Sequence, residues 1–299
     1  MMAAINTVSL TKYYGATRGI EDLNLTVEEG EVFGFLGPNG AGKTTTIRLL
    51  VALLRPSRGS ATVLGGDAWR ETAAIKTDVG NIPGDIRLYE KMTGGEFLNF
   101  IARFRPKKPP ILKKELVERF DLDLRKRVKD YSKGNRQKLA IIQATMHDPR
   151  LLLLDEPTSG LDPLMQQEFY RLVEEFKSRG RTVFLSSHIL PEVERVCDRV
   201  GIVKDGQLVT IERIDALTTK KVRYVDVFFD GPVSPDEFRL PGITAVEQVD
   251  NHLRLTVKGD IDPLIKKFAQ HKVKDFISTH AGLEEIFLEF YGRGGSSER

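Results

Sequence analysis

The octapeptide Gly37-Pro38-Asn39-Gly40-Ala41-Gly42-Lys43-Thr44 constrains this chain more than any other feature. Its spacing is G-x-x-x-x-G-K-[ST]. It lies between an apolar run, Val32-Phe33-Gly34-Phe35-Leu36, and a segment of helical pattern, residues 45–54. A strand feeding a helix through such a loop is the setting in which the motif binds phosphate. Glycines let the backbone approach phosphate oxygens, and the N–H groups at the helix start point at the anion. The expected nucleotide contacts are Gly37, Asn39, Gly40, Ala41, Gly42, Lys43, Thr44 and Thr45. Lys43 would reach the β- and γ-phosphates, and Thr44 would hold Mg²⁺.

A second element belongs with the first. Leu151-Leu152-Leu153-Leu154-Asp155-Glu156 begins about 110 residues after the loop and continues as Pro157-Thr158-Ser159-Gly160-Leu161-Asp162. An apolar strand would deliver Asp155 beside the loop, where it could hold Mg²⁺ through water. Glu156 could then polarise the attacking water. Two adjacent carboxylates repel, and a nearby divalent ion is a physical reason to keep both. His188 ends another run, Val183-Phe184-Leu185-Ser186-Ser187, and could stabilise charge developing on a transferred phosphoryl group. His147, His252, His271 and His280 have no such setting and read as surface or packing residues.

The pattern predicts an α/β core with a largely parallel sheet, since the runs 151–154 and 183–185 suit strands covered on both faces. Residues 8–24 alternate weakly, as an antiparallel edge region would. Residues 87–144 read as a helical insertion cut by Pro106, Pro109 and Pro110. The first domain is therefore expected over 1–214. After it, the order β-α-β-β-α-β over 215–292 suggests a small α+β domain of ferredoxin-like type, with a hairpin turning at Asp250-Asn251. A final helix is expected at 283–291 and a disordered polar tail at 293–299.

Charge is unevenly placed. Residues 103–138 carry a local balance of +9 in a chain of net charge +3, leaving the remainder near −6. A solvated helical face is the plain explanation, and a surface held near anionic lipid is the sharper one. Aromatics are not interleaved for base stacking, so stable nucleic-acid binding is not expected. No stretch approaches membrane-spanning length, and no signal-peptide pattern opens the chain, which suggests a cytosolic protein. The single cysteine, Cys197, can neither close an internal disulfide nor build a zinc site alone.

These motifs, in this order over residues 6–211, resemble the ATP-binding-cassette ATPases. Tyr131-Ser132-Lys133-Gly134-Asn135 is similar to that family's signature loop, and it precedes a helical stretch at 138–146. The resemblance implies two ATP molecules sandwiched in a head-to-tail dimer with a second copy or a homologous cassette. Ser132 and Gly134 would then touch the γ-phosphate in trans, and Asp162 would belong to the loop crossing the dimer. Tyr14, in Thr11-Lys12-Tyr13-Tyr14-Gly15, would stack on adenine, with Tyr13 as fallback. The stretch 185–206 is similar to the ATPase subunits of drug-resistance-type exporters. That implies a peripheral subunit on the cytoplasmic face of the membrane, with a separate permease seated on the loop 84–89, through Leu88 and Tyr89, and on the basic insertion.

Two departures stand out. Gly84 occupies the position where the family usually has Gln; Asp85 could take part of that role, or the loop could act as a mechanical link. Lys133 replaces the first glycine of the signature pair. The weighed alternative is a soluble cassette ATPase acting on ribosome or nucleic acid. The single cassette, the lack of heptads in the insertion and the lone cysteine argue against it. A GTP switch would need an Asn/Thr-Lys-x-Asp motif, which is absent from the sequence.

Overall fold

The computed structural model describes residues 3–105, 108–219, 222–250 and 252–280. The expected helix at 283–291, the tail at 293–299 and the hairpin residue Asn251 lie outside them. The chain divides into two compact units between Glu212 and Arg213, two residues before the boundary expected from sequence.

In the first unit, β1 (Ala3–Tyr14) and β2 (Thr17–Glu28) pair antiparallel over most of their length. Next come β3 (Val32–Leu36) and α1 (Lys43–Leu50). Strands β4 (Arg58–Val63) and β5 (Gly66–Asp67) complete a four-stranded antiparallel sheet of order β2-β1-β4-β5. A short α2 (Thr72–Ile75) leads to β6 (Val79–Ile82). Helices α3 (Gly94–Ala102), α4 (Lys113–Arg119) and α5 (Lys133–Thr145) form the insertion. The chain continues through β7 (Leu151–Asp155), α6 (Pro163–Ser178), β8 (Thr182–Ser187), α7 (Leu190–Val196), β9 (Arg199–Lys204) and β10 (Gln207–Arg213).

The second sheet has the order β10-β9-β3-β8-β7-β6, and from β9 to β6 every neighbouring pair is parallel. Every residue of β3, β7 and β8 is buried, which is why these strands read as unbroken apolar runs. Phe33 and Phe184 sit opposite each other in register and stack at 5.8 Å. Full burial of each such large side chain contributes about 1.5–3 kcal/mol. The antiparallel sheet turns Ile5, Leu10, Ile20 and Leu25 into the same cluster as Ile47 and Leu50 of α1. The first helix thus packs its apolar face into the core that both sheets share, while residues 38–40 of the preceding loop stay exposed.

The insertion is tied to the core by Arg119, which bonds Glu168 at 3.1 Å and Glu175 at 2.8 Å on α6. Helix α3 starts at a capping box, Thr93 with Glu96, and buries Phe97 and Leu98. Its other edge carries an aromatic chain in which Tyr89 meets Phe100 at 5.3 Å and Phe100 meets Phe104 at 5.1 Å. Tyr89 and Phe104 are exposed.

The second unit contains α8 (Ile214–Thr219), β11 (Val222–Phe229), β12 (Ile243–Val249), β13 (His252–Lys258), α9 (Asp262–Phe268) and β14 (Val273–His280). Its sheet order β12-β13-β11-β14, antiparallel throughout, is the ferredoxin-like arrangement. The first crossover is made by a short 3₁₀ turn, Pro235–Phe238, in place of an α-helix. Val225, Val227, Leu253, Leu255, Phe238 and Phe268 form a core of its own.

Among the described residues, no helix is long and apolar enough to cross a membrane. His147 is a packing residue, 3% exposed. Burial first, then the nearby Arg105 charge, lowers its pKa to about 4 from 6.5. A histidine that must stay neutral in the fold contributes stability above pH 6.5, and that contribution is lost as pH falls towards 4. The loss should reach up to about 3 kcal/mol. Urea midpoints measured across this window should fall, and His147→Leu should remove that component of the slope.

Candidate active site

Because β3, β6, β7 and β8 are parallel, their C-terminal ends share one edge of the sheet. The loop 37–42 follows β3, Gly84 follows β6, Asp155 and Glu156 close β7, and His188 follows β8. This edge is where ligands bind in open parallel sheets. The loop is shaped by steric limits. Gly42 has φ +105°, and a Cβ there would fall 2.6 Å from Ile20 Cγ2 and 2.7 Å from the Gly19 carbonyl. Gly40, at φ +83°, has open space around it, leaving its backbone accessible.

Lys43 is 5% exposed. Its ammonium donates to the carbonyls of Gly37 at 2.7 Å and Pro38 at 3.0 Å and lies 3.6 Å from Glu156 Oε1. Burial lowers its pKa below the ordinary lysine value, while Glu156 and Asp155 pull the other way. The cation is therefore aimed at the carboxylate pair and costs little further desolvation when it engages an anion.

Asp155 is 2% exposed. Its Oδ1 accepts from Ser186 Oγ at 2.5 Å, whereas Oδ2 is buried with no hydrogen-bond partner. An ideal Cβ on Gly84 would stand 2.6 Å from that Oδ2 and 3.7 Å from Thr44 Oγ1. An orphaned anionic oxygen and a threonine hydroxyl that both face the Gly84 position fit a small hard cation, which prefers oxygen ligands. The residues present therefore fit the divalent ion that the sequence implies. A Cβ at Gly84 would force the Asp155 carboxylate to shift, so glycine leaves room for it in this arrangement. Asp85 pairs with Arg87 at 2.8 Å, both exposed, and borders the same cleft as Gly84, Asp155 and Glu156.

Glu156 takes a left-handed backbone, φ +47°, uncommon for a residue other than glycine. Its Oε1 lies 3.1 Å from His188 Nδ1, so His188 and Lys43 both address one carboxylate oxygen. Sequence reasoning did not single out the groups behind this pair. Ser186 and Ser187 are fully buried, and Ser187 Oγ donates to Glu192 Oε2 at 2.5 Å while accepting from Ile189 N at 3.0 Å. Burial raises the Glu192 pKa, opposed by the Ser187 hydrogen bond. The visible signal was two hydroxyls at the end of an otherwise apolar strand.

A cleft of about 380 Å³ runs over the loop, lined by Tyr14, Gly19, Asn39, Lys43, Thr44, Thr45 and Glu156 among others. Of the two candidate tyrosines, Tyr14 borders this cleft, 44% exposed, with its hydroxyl 3.4 Å from Thr45 Oγ1. Tyr13 instead donates its hydroxyl to Glu21.

Ser132, Gly134 and Asp162 are not brought to the loop. The helix expected at 138–146 starts earlier, at Lys133, because Ser132 caps it by accepting from Asn135 N at 3.2 Å. Gly134 therefore lies in the first turn, and a Cβ there would stand 2.9 Å from the Gly160 carbonyl. Asp162 caps α6 in the same way, accepting from Met165 N at 3.0 Å. The start of α5 borders a second cleft of about 390 Å³, lined by Lys133, Arg136, Gln137, Gly84, Asp155 and Glu156 among others. Glu156 stands between the two clefts.

A family profile described as ABC transporter matches residues 20–159. The bacitracin transport ATP-binding protein BcrA of Bacillus licheniformis is 38% identical over 229 residues, 76% of this chain and 75% of that protein. The protein of the same name from Enterococcus faecalis is 35% identical and aligns over 99% of this chain and 98% of its own length. A solved ATP-binding subunit of an ABC transporter is 30% identical with a TM-score of 0.67, covering 72% of this chain and 91% of that one. A cassette solved as a dimer with ADP and Pi shares the fold at 22% identity, TM-score 0.64, over 70% of this chain and 98% of that one.

Proposed function

This chain belongs to the ABC transporter family, as one of its ATP-binding subunits, and from that premise we propose the following division of labour among its residues. One nucleotide lies in the cleft over Gly37–Thr45, with adenine against Tyr14 and phosphates on the loop amides. Lys43 turns from the Gly37 and Pro38 carbonyls to the β- and γ-phosphates. Thr44 and Asp155 would hold Mg²⁺, which would supply positive charge to the phosphate oxygens. Glu156 accepts a hydrogen bond from the attacking water, and His188, held 3.1 Å from Glu156, faces the charge that develops on transfer. The observation that carries this reading is the meeting of Lys43, Glu156 and His188 around one carboxylate oxygen.

A second copy or a homologous cassette supplies Ser132 and Gly134 to the γ-phosphate. Neither residue lines the loop cleft of its own chain, which supports closure in trans, with Asp162 along the crossing. The two units work as cassette (1–214) and accessory domain (215–292). The motor acts on a separate permease, docked at the cytoplasmic face of the membrane on the exposed aromatic edge of Tyr89 and Phe104 and the basic insertion. Names that specify bacitracin transport, carried by relatives aligned over most of the chain, support an exporter of drug-like cargo. Affinity purification of the tagged chain from detergent extracts, followed by an ATPase assay, tests this. Mg²⁺-dependent ATP hydrolysis and a stoichiometric multi-span membrane protein are the expected result. A chain that hydrolyses ATP yet stays unattached in every extract contradicts the transport reading.

A further inference from the structure

The proposed catalytic groups leave the buried Ser186 hydroxyl, which touches Asp155, without a role. Ser186 Oγ, 0% exposed, donates to Asp155 Oδ1 at 2.5 Å and receives Glu156 N at 3.3 Å. A serine hydroxyl has one donor and two acceptor sites, so the single donor is committed to one carboxylate oxygen. The other oxygen, Oδ2, is then left buried and unpartnered, facing the bare Cα of Gly84 and the neighbourhood of Thr44 Oγ1.

Resting on the reading above, we propose that Ser186 is a positioning residue for the divalent ion: by holding Asp155 through Oδ1 it presents Oδ2 to the metal. Without that hydroxyl the carboxylate can rotate about its χ2 torsion, which is broad for Asp. Either oxygen can then satisfy itself elsewhere, and the metal loses a preoriented ligand. The same hydroxyl accepts from the Glu156 amide, so one side chain fixes the metal carboxylate and the backbone of its neighbour. Hydrogen-bond partners of metal ligands characteristically set metal affinity by 10- to 100-fold, even though they never touch the ion.

The test is a Mg²⁺ titration of fluorescent ATP-analogue binding to the full chain, with a parallel measurement in EDTA. Ser186→Ala should raise the Mg²⁺ half-saturation roughly tenfold or more. Analogue affinity in EDTA should stay within about twofold, because the loop amides and Lys43 are untouched. Ser186→Cys fills the same space with a weak donor and should reproduce the loss, which covers a poorly folding alanine variant. Ser187→Ala removes the adjacent buried hydroxyl, which faces Glu192, and should leave Mg²⁺ affinity unchanged. The proposal is overturned if both Ser186 variants keep wild-type Mg²⁺ affinity. It is equally overturned if Ser187→Ala weakens Mg²⁺ as much, or if EDTA affinity falls in step. A wild-type chain whose binding ignores Mg²⁺ would overturn the metal-dependent ATPase reading itself.

Discussion

Glu156→Gln should leave a chain that binds ATP and almost fails to hydrolyse it. Glutamine keeps the size of the side chain but can no longer carry the negative charge that His188 and Lys43 address. It can still be placed beside a water, yet it cannot accept that water's proton. Loss of a positioned general base costs about 10²- to 10⁴-fold in rate, and phosphate release measured at saturating ATP should fall within that range. Binding should survive, since the phosphate contacts come from the loop and Lys43. With hydrolysis blocked, closed ATP-bound pairs should accumulate, visible as a doubling of mass by light scattering with Mg²⁺ and ATP but not with ADP. Unchanged turnover in this variant would remove Glu156 from the chemistry.

Lys43→Ala should act earlier, on binding itself. The ammonium is nearly buried and already partnered by two loop carbonyls and a carboxylate, so its charge is held in place before phosphate arrives. Truncating a buried hydrogen-bonded charge costs about 2–5 kcal/mol in binding, roughly 30- to 5,000-fold in Kd. Equilibrium binding of labelled ATP should show this loss without a comparable loss of folding stability. A variant that binds ATP with near wild-type affinity would mean that Lys43 is a structural brace of the loop.

The two variants touch residues that were legible in the sequence, and the reason is local. The phosphate loop and the Asp155-Glu156 pair are contiguous in the chain and flanked by runs that only buried strands explain, so their place at the sheet edge followed from parallel topology. The ferredoxin-like order could be read from the sequence of alternating segments, although its first crossover shrank to a 3₁₀ turn over Pro235–Phe238. What the sequence hid depends on side-chain contacts between strands. Ser186 and Ser187 look like ordinary strand residues until β7 and β8 lie side by side, which brings Asp155 opposite Ser186. Gly84 read as a missing glutamine, whereas in three dimensions its lack of a Cβ makes room for the Asp155 carboxylate. The start of α5 was placed five residues late because Lys133-Gly134-Asn135 has little helical periodicity, and only the Ser132 cap reveals the helix start. Tyr14 and Tyr13 were separable only by which one faces the loop.

The most direct test of the central claim is a crystal structure of Glu156→Gln with Mg²⁺ and ATP. The account predicts a triphosphate on the amides of the loop 37–45 of one copy, covered by Ser132 and Gly134 of a facing copy within hydrogen-bonding distance of the γ-phosphate. A nucleotide held by one copy alone, with every facing signature loop turned away from it, would contradict the account.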